Sequence, residues 1–167
     1  MRIVIVGPGA LGSLLTARIS LYFDRQGKEE AGIDDSVWLL DYKPERAESL
    51  RKHGLVLEEG DRKFVCYPDV TADPAVCAEA DVFFLCVKSM ALNPALAQIR
   101  PFLFPGNLLF AMQKGIGHLQ ELSTDPCAYG VDVTAEGVNI VSPVHCRHGG
   151  SVFHRLGLLP PVSAPRS

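Results

Sequence analysis

The chain has 167 residues, 47% of them hydrophobic, with 16 lysines and arginines against 19 aspartates and glutamates. That length suits one ordinary domain, or one domain and a piece of another, and the apolar content is that of a packed protein, not of a disordered one. A net charge of -3 offers no basic field for nucleic acid or an anionic membrane. No apolar run approaches the roughly 18 residues that cross a bilayer, and the first apolar run meets glycine too early for a secretory leader. Cys66, Cys77, Cys86, Cys127 and Cys146 are an odd count with no C-x-x-C pair. Three of them lie in apolar runs, which points to reduced core thiols of a cytoplasmic protein. The histidines lack zinc-ligand spacing, and His145 and His148 stand alone as a pair.

Taken in order, apolar runs alternate with stretches of helical spacing, the pattern of a parallel sheet covered on both faces. Arg2 to Val6 is a short β-branched run and predicts a buried strand. Leu11, Leu14, Leu15, Arg18, Ile19 and Tyr22 then keep helical spacing from Ala10 onward. Asp24 to Ser36 is polar and predicts an exposed loop, and Val37 to Leu40 predicts the second strand. Pro44 opens a helix at a position proline tolerates, and Gly54 closes it. Leu55 to Leu57 and Phe64 to Cys66 flank a polar turn and predict a hairpin. Asp81 to Val87 is the most apolar strand and should be central. Ser89 is a candidate cap for a helix from Met90 to about Arg100, and Leu108 to Met112 predicts another strand. Beyond Thr124 short strands are expected at Cys127 to Val133, Val138 to Val141 and Ser151 to Leu156. The predicted fold is therefore α/β, doubly wound and mostly parallel, with a smaller strand-rich C-terminal part. Residues 1–157 form the domain, and 158–167, with three prolines, form a frayed tail or linker.

Gly7-Pro8-Gly9-Ala10-Leu11-Gly12 matches G-x-G-x-x-G between a predicted strand and a predicted helix. In that context the first glycine permits a tight turn and the second lets backbone approach a pyrophosphate. The third lets helix and strand pack closely, with the helix N-terminus aimed at the phosphates. The plain alternative is a glycine-rich turn that serves packing alone. The end of the second strand, Leu40-Asp41-Tyr42-Lys43-Pro44-Glu45-Arg46, gives two opposed readings. Asp41 can accept from a ribose 2′-hydroxyl, which favours NAD; Lys43 or Arg46 can pair with a 2′-phosphate, which favours NADP. Asp41 follows Gly12 by 29 positions, against the usual ~20, and the Asp24 to Ser36 insertion accounts for the excess.

Further segments join the glycine turn: Cys86-Val87-Lys88-Ser89, Gln113-Lys114-Gly115-Ile116-Gly117, Asp132 to Asn139, and His148-Gly149-Gly150 with Leu156-Gly157. With them the chain resembles the ketopantoate reductase (2-dehydropantoate 2-reductase) family, specifically its N-terminal Rossmann-type domain. Two departures stand out: Lys114 replaces the asparagine of the family's Q-N-G turn, and Asp132 and Val138 replace a glycine and an alanine. The resemblance implies NADP as cofactor, with NAD open. It also implies a 2-oxo-acid substrate and cofactor contacts from Gly7 to Gly12, Lys88, Lys114 and Val138, to which the local reading of the second strand's end adds Lys43. For Lys88 the plain alternative is a solvated residue at a strand end. The family's second, helical domain supplies the general-acid lysine and most substrate contacts, so no catalytic residue is expected in this chain. Two other functions stay in view, a reductase of another 2-oxo acid or opine-type substrate and a non-catalytic nucleotide-sensing module. Oligomeric state is not legible.

Overall fold

A computed structural model describes residues 1–26, 35–114, 119–134, 137–150 and 154–159. The first strand, β1 (Arg2–Val6), already specifies a two-sided sheet. Ile3 and Ile5 enter one buried cluster while Val4 and Val6 enter another, because successive strand side chains alternate faces. The first cluster is roofed by α1 (Ala10–Gln26) and α2 (Pro44–His53), and includes Leu14, Ala17 and Leu50. The second is roofed by α3 (Leu92–Ile99), which contributes Leu92, Leu96 and Ile99. This is the doubly wound arrangement expected for strands buried on both faces.

The remaining strands are β2 (Ser36–Leu40), β3 (Leu55–Glu59), β4 (Arg62–Cys66), β5 (Asp69–Thr71), β6 (Val82–Leu85), β7 (Leu108–Ala111), β8 (Ala128–Thr134), β9 (Gly137–Ser142), β10 (His145–Gly150) and β11 (His154–Leu159). Seven of them make the main sheet in the order β11-β8-β7-β6-β1-β2-β5. All its neighbours run parallel except β11, which pairs antiparallel with β8. As its apolar run predicts, β6 holds the middle place. Strand order reverses between β1 and β6, and open α/β sheets bind ligands at that switch point, beyond the carboxyl ends of the strands.

A second sheet, β4-β3-β10-β9, contains the predicted hairpin as the antiparallel pair β3–β4. Leu55, Leu57, Cys66 and Cys146 from it join the cluster beneath α1, so that helix is covered by both sheets. Arg18 on α1 ties the layers, donating to Glu59 at 2.9 Å and sharing a 3.1 Å contact with His148 Nδ1. His148 is thus a buried strand residue, and His145 faces Glu58 at 2.9 Å.

Several expectations need correction. Ser89 caps nothing: it opens a 3-10 turn, Ser89–Ala91, and α3 starts only at Leu92, with no side-chain cap. The Asp24 to Ser36 loop is shorter than expected, since α1 continues to Gln26 and β2 begins at Ser36; residues 27–34 lie outside the described residues. The last strand is described over His154–Leu159, so Leu158 and Leu159, expected in the tail, are strand. Residues 151–153 and 160–167 lie outside the described residues. Strand β5, the 3-10 turn Pro74–Glu79 and the short helix α4 (Leu119–Leu122) were not expected at all.

Cys66, Cys77, Cys127 and Cys146 are buried and Cys86 half-buried, all as free thiols. Burial pushes Cys66, Cys127 and Cys146 up to about 11 and Cys77 to about 12, so these thiols stay protonated and unreactive. Among the described residues no helix is long and apolar enough to cross a membrane.

Candidate functional site

The glycine turn is built where three strand ends meet. Gly7 N donates to Leu40 O at 3.0 Å, and Cys86 N donates to Val6 O at 2.8 Å, which ties the turn to the ends of β2 and β6. Ser13 N donates to Gly9 O at 2.8 Å, so α1 starts directly from the turn. No acidic residue occupies its first turn, and the positive end of the helix is not neutralised from within.

The three glycines do different work. Gly7 has φ +101°, and a Cβ there would stand 2.6 Å from Val87 Cγ1. A Cβ on Gly12 would stand 2.0 Å from Gly7 O, a separation no packing adjustment absorbs. Both are required by the fold itself. Gly9 has no such conflict: its nearest neighbour would be Cys86 O at 3.6 Å, ordinary contact. Among the described residues the space beside Gly9 is bordered only by Cys86 O, and it lies at the N-terminus of α1.

Two cavities lie on either side of this turn. One, about 510 Å³, is lined by Gly9, Ala10, Leu11, Cys86, Val87, Lys88, Ser89, Met112, Gln113, Lys114 and Val138. It brings together most of the residues singled out in the sequence, although they come from four separate segments. The other, about 250 Å³, is mainly apolar and is lined by Val6, Gly7, Leu40, Asp41, Tyr42, Val87, Ala91, Pro94, Ala95 and Gln98. Pro8 and Gly12 line neither cavity; Pro8 O instead accepts from Ser13 Oγ at 3.3 Å and Gly12 O from Thr16 Oγ1 at 2.8 Å.

Gln113 went unassigned in the sequence, yet it organises the larger cleft. Its side-chain amide donates to Leu85 O at 2.8 Å and Val87 O at 2.9 Å, so the exits of β6 and β7 are fixed together. Cys86 borders the same cleft, and burial, aided by the charge of Asp132, pushes its thiol up, away from the thiolate a nucleophile needs.

At the second strand's end the two opposed readings resolve into one cluster. Asp41 is 1% exposed, and its carboxylate accepts from Arg46 Nε, from Arg46 Nη2 at 2.6 Å and from Lys43 N at 2.9 Å. Asp41 is therefore not a free ribose ligand, and Arg46 is not a free phosphate ligand, because each is the other's partner. Among the described residues Lys43 makes no ion pair; its ammonium lies 5.6 Å from the Tyr42 ring centre, and the Arg46 guanidinium lies 5.1 Å from the same exposed ring.

Comparison with known proteins agrees with this architecture. A family profile described as "Ketopantoate reductase PanE/ApbA" matches residues 3–161. The chain belongs to the ketopantoate reductase family. A 2-dehydropantoate 2-reductase of Halobacterium salinarum is 33% identical over 153 residues, covering 90% of this chain and 46% of that protein. One of Lactococcus lactis is 28% identical over 120 residues, 71% of this chain and 35% of that protein. The chain thus spans less than half the length of these curated ketopantoate reductases. A solved structure described as a probable 2-dehydropantoate 2-reductase of Bacillus subtilis superposes with TM-score 0.81 at 18% identity, over 99% of this chain and 52% of its own. A D-mandelate dehydrogenase solved with NADH and anilino(oxo)acetate superposes with TM-score 0.72 at 22% identity, over 95% of this chain and 48% of its own. At such identities these two establish the shared fold.

Proposed function

We propose that this chain is the cofactor-binding half of an NADP-dependent reductase that converts 2-dehydropantoate to pantoate for pantothenate synthesis. Gly9 carries the reading: the fold has no need of a glycine there, whereas a phosphate packed on the backbone does. The pyrophosphate lies along Gly7 to Gly12, against the N-terminus of α1, with Lys88 as its cation. Asp41, Tyr42 and Lys43 mark the adenosine end, since the residue at the end of the second strand addresses the adenosine ribose. The nicotinamide half then falls in the larger cleft, beside Lys88, Lys114 and Val138. When bound, the nicotinamide supplies the hydride, while these residues orient it and exclude water.

Burial of Asp41 supports NADP over NAD, because its charge is neutralised by Arg46 and no longer opposes a 2′-phosphate beside Lys43. A different 2-oxo acid as substrate is the second reading, favoured by a lysine at position 114 where the family carries asparagine. Nothing lining the larger cleft can protonate a developing alkoxide except the two lysines, and neither is held by a base or a carboxylate among the described residues. Calorimetric titration of the purified chain with NADPH tests the binding half of the proposal, and saturable one-to-one binding is expected. In the same preparation 2-dehydropantoate reduction should stay at the uncatalysed rate. Robust turnover would show that the proton donor lies within these residues.

A further inference from the structure

We infer that Lys114 makes the site discriminate between the redox states of its cofactor, favouring the reduced form. The inference rests on the dinucleotide reading above and adds a specificity-determining role for one residue. Gln113 donates to Val87 O at 2.9 Å, and the next residue after each is a lysine, so Lys88 and Lys114 leave the sheet side by side. Both line the larger cleft, and among the described residues no carboxylate lines it with them. The carboxylate of Asp132, whose charge reaches Cys86, is buried on β8 and does not line the cleft. Among the described residues neither ammonium has an ion-pair partner. Among the described residues the cleft therefore carries two uncompensated positive charges.

One of them, Lys88, has an obvious use, since it stands across from the glycine turn and its phosphate space. Lys114 lies farther along, after β7, on the side of the switch point away from Asp41 and Tyr42. That is the nicotinamide side. An oxidised nicotinamide ring carries a positive charge, and a reduced ring is neutral. Every other charge on the two cofactor forms is the same. A cation at position 114 thus raises the free energy of the oxidised complex and leaves the reduced one nearly untouched. An uncharged asparagine would not discriminate in this way. Because Lys114 is exposed, solvent screens it, and the expected preference is about tenfold, not hundredfold. A site of this kind captures the reduced cofactor and releases the oxidised one, as a reductase requires.

The test measures dissociation constants of NADPH and NADP+ for wild type, Lys114→Asn and Lys43→Ala. The quantity compared is the ratio of the two constants within each protein, which cancels any loss of folded material. Wild type is expected to favour NADPH about tenfold more than Lys114→Asn does, the change lying in the NADP+ arm. Lys43→Ala, at the adenosine end, should weaken both forms and keep the wild-type ratio. An unchanged ratio in Lys114→Asn, or an equal change in Lys43→Ala, would overturn the inference while leaving dinucleotide binding intact. A wild type that bound neither form would overturn the nucleotide reading, and this inference with it.

Discussion

Gly9→Val is expected to abolish dinucleotide binding while leaving thermal unfolding close to wild type, and Gly12→Ala is expected to fail at folding itself. The two glycines lie three residues apart in one motif, yet their surroundings differ. At Gly9 the backbone is ordinary and a Cβ would meet only Cys86 O at 3.6 Å. The valine branches would then fill the space that a pyrophosphate needs, so affinity for NADPH should fall below detection. At Gly12 a Cβ would stand 2.0 Å from Gly7 O, and α1 would have to move off β1. That displacement disturbs the cluster formed by Ile3, Ile5, Leu14 and Ala17, and overpacking in such a core costs roughly 3 kcal/mol or more. Melting curves and calorimetry on both variants separate the effects. NADPH binding by Gly9→Val as tight as wild type would remove the phosphate from this turn.

What the sequence revealed of this fold follows from the range of the forces involved. β1, β6 and α1 were legible because their signal is local: alternating or helically spaced apolar residues each bury the face they sit on. The glycine turn was legible because its pattern is complete within six residues, although the close approach of Val87 to Gly7 was not. Strand β5 was not, since Asp69–Thr71 is short and is held by pairing with β2, a partner some thirty positions earlier. Ser89 illustrates the reverse failure. A serine before an apolar run is a sound capping signal, but the chain tightens into a 3-10 turn there and delays α3 to Leu92. Gln113 stands between these cases: its motif was visible, but its bonds to Leu85 and Val87 depend on β6 and β7 being neighbours, a matter of topology. The Asp41–Arg46 pair was hidden for another reason. Each residue type suits a ligand on its own, and one turn of helix is enough to let them face each other instead.

That pair governs the second large effect expected, which concerns cofactor choice. Arg46→Met should destabilise the protein by roughly 3 kcal/mol and lower its preference for NADP over NAD about a hundredfold. The Asp41 side chain is 0% exposed, and in this variant it keeps one donor, Lys43 N, in place of three. An unpaired buried carboxylate is costly, though the partial exposure of Arg46 holds the loss to the lower end of the range for buried pairs. The same carboxylate, no longer neutralised, would repel a 2′-phosphate at the adenosine end and be indifferent to a ribose hydroxyl. Lys43→Ala acts on the other term. It removes the one cation of the segment that is not committed to Asp41, and a charge-assisted contact of about 1.5–3 kcal/mol corresponds to a tenfold to hundredfold loss of NADPH affinity. Affinity for NADH should barely change. Titrating wild type, Lys43→Ala and Arg46→Met with both reduced cofactors, alongside urea unfolding of each protein, checks all of these values. If NADH binds wild type at least tenfold more tightly than NADPH, and Lys43→Ala alters neither, the cofactor is NAD. Asp41 would then be the ribose ligand, released from Arg46 when the cofactor arrives.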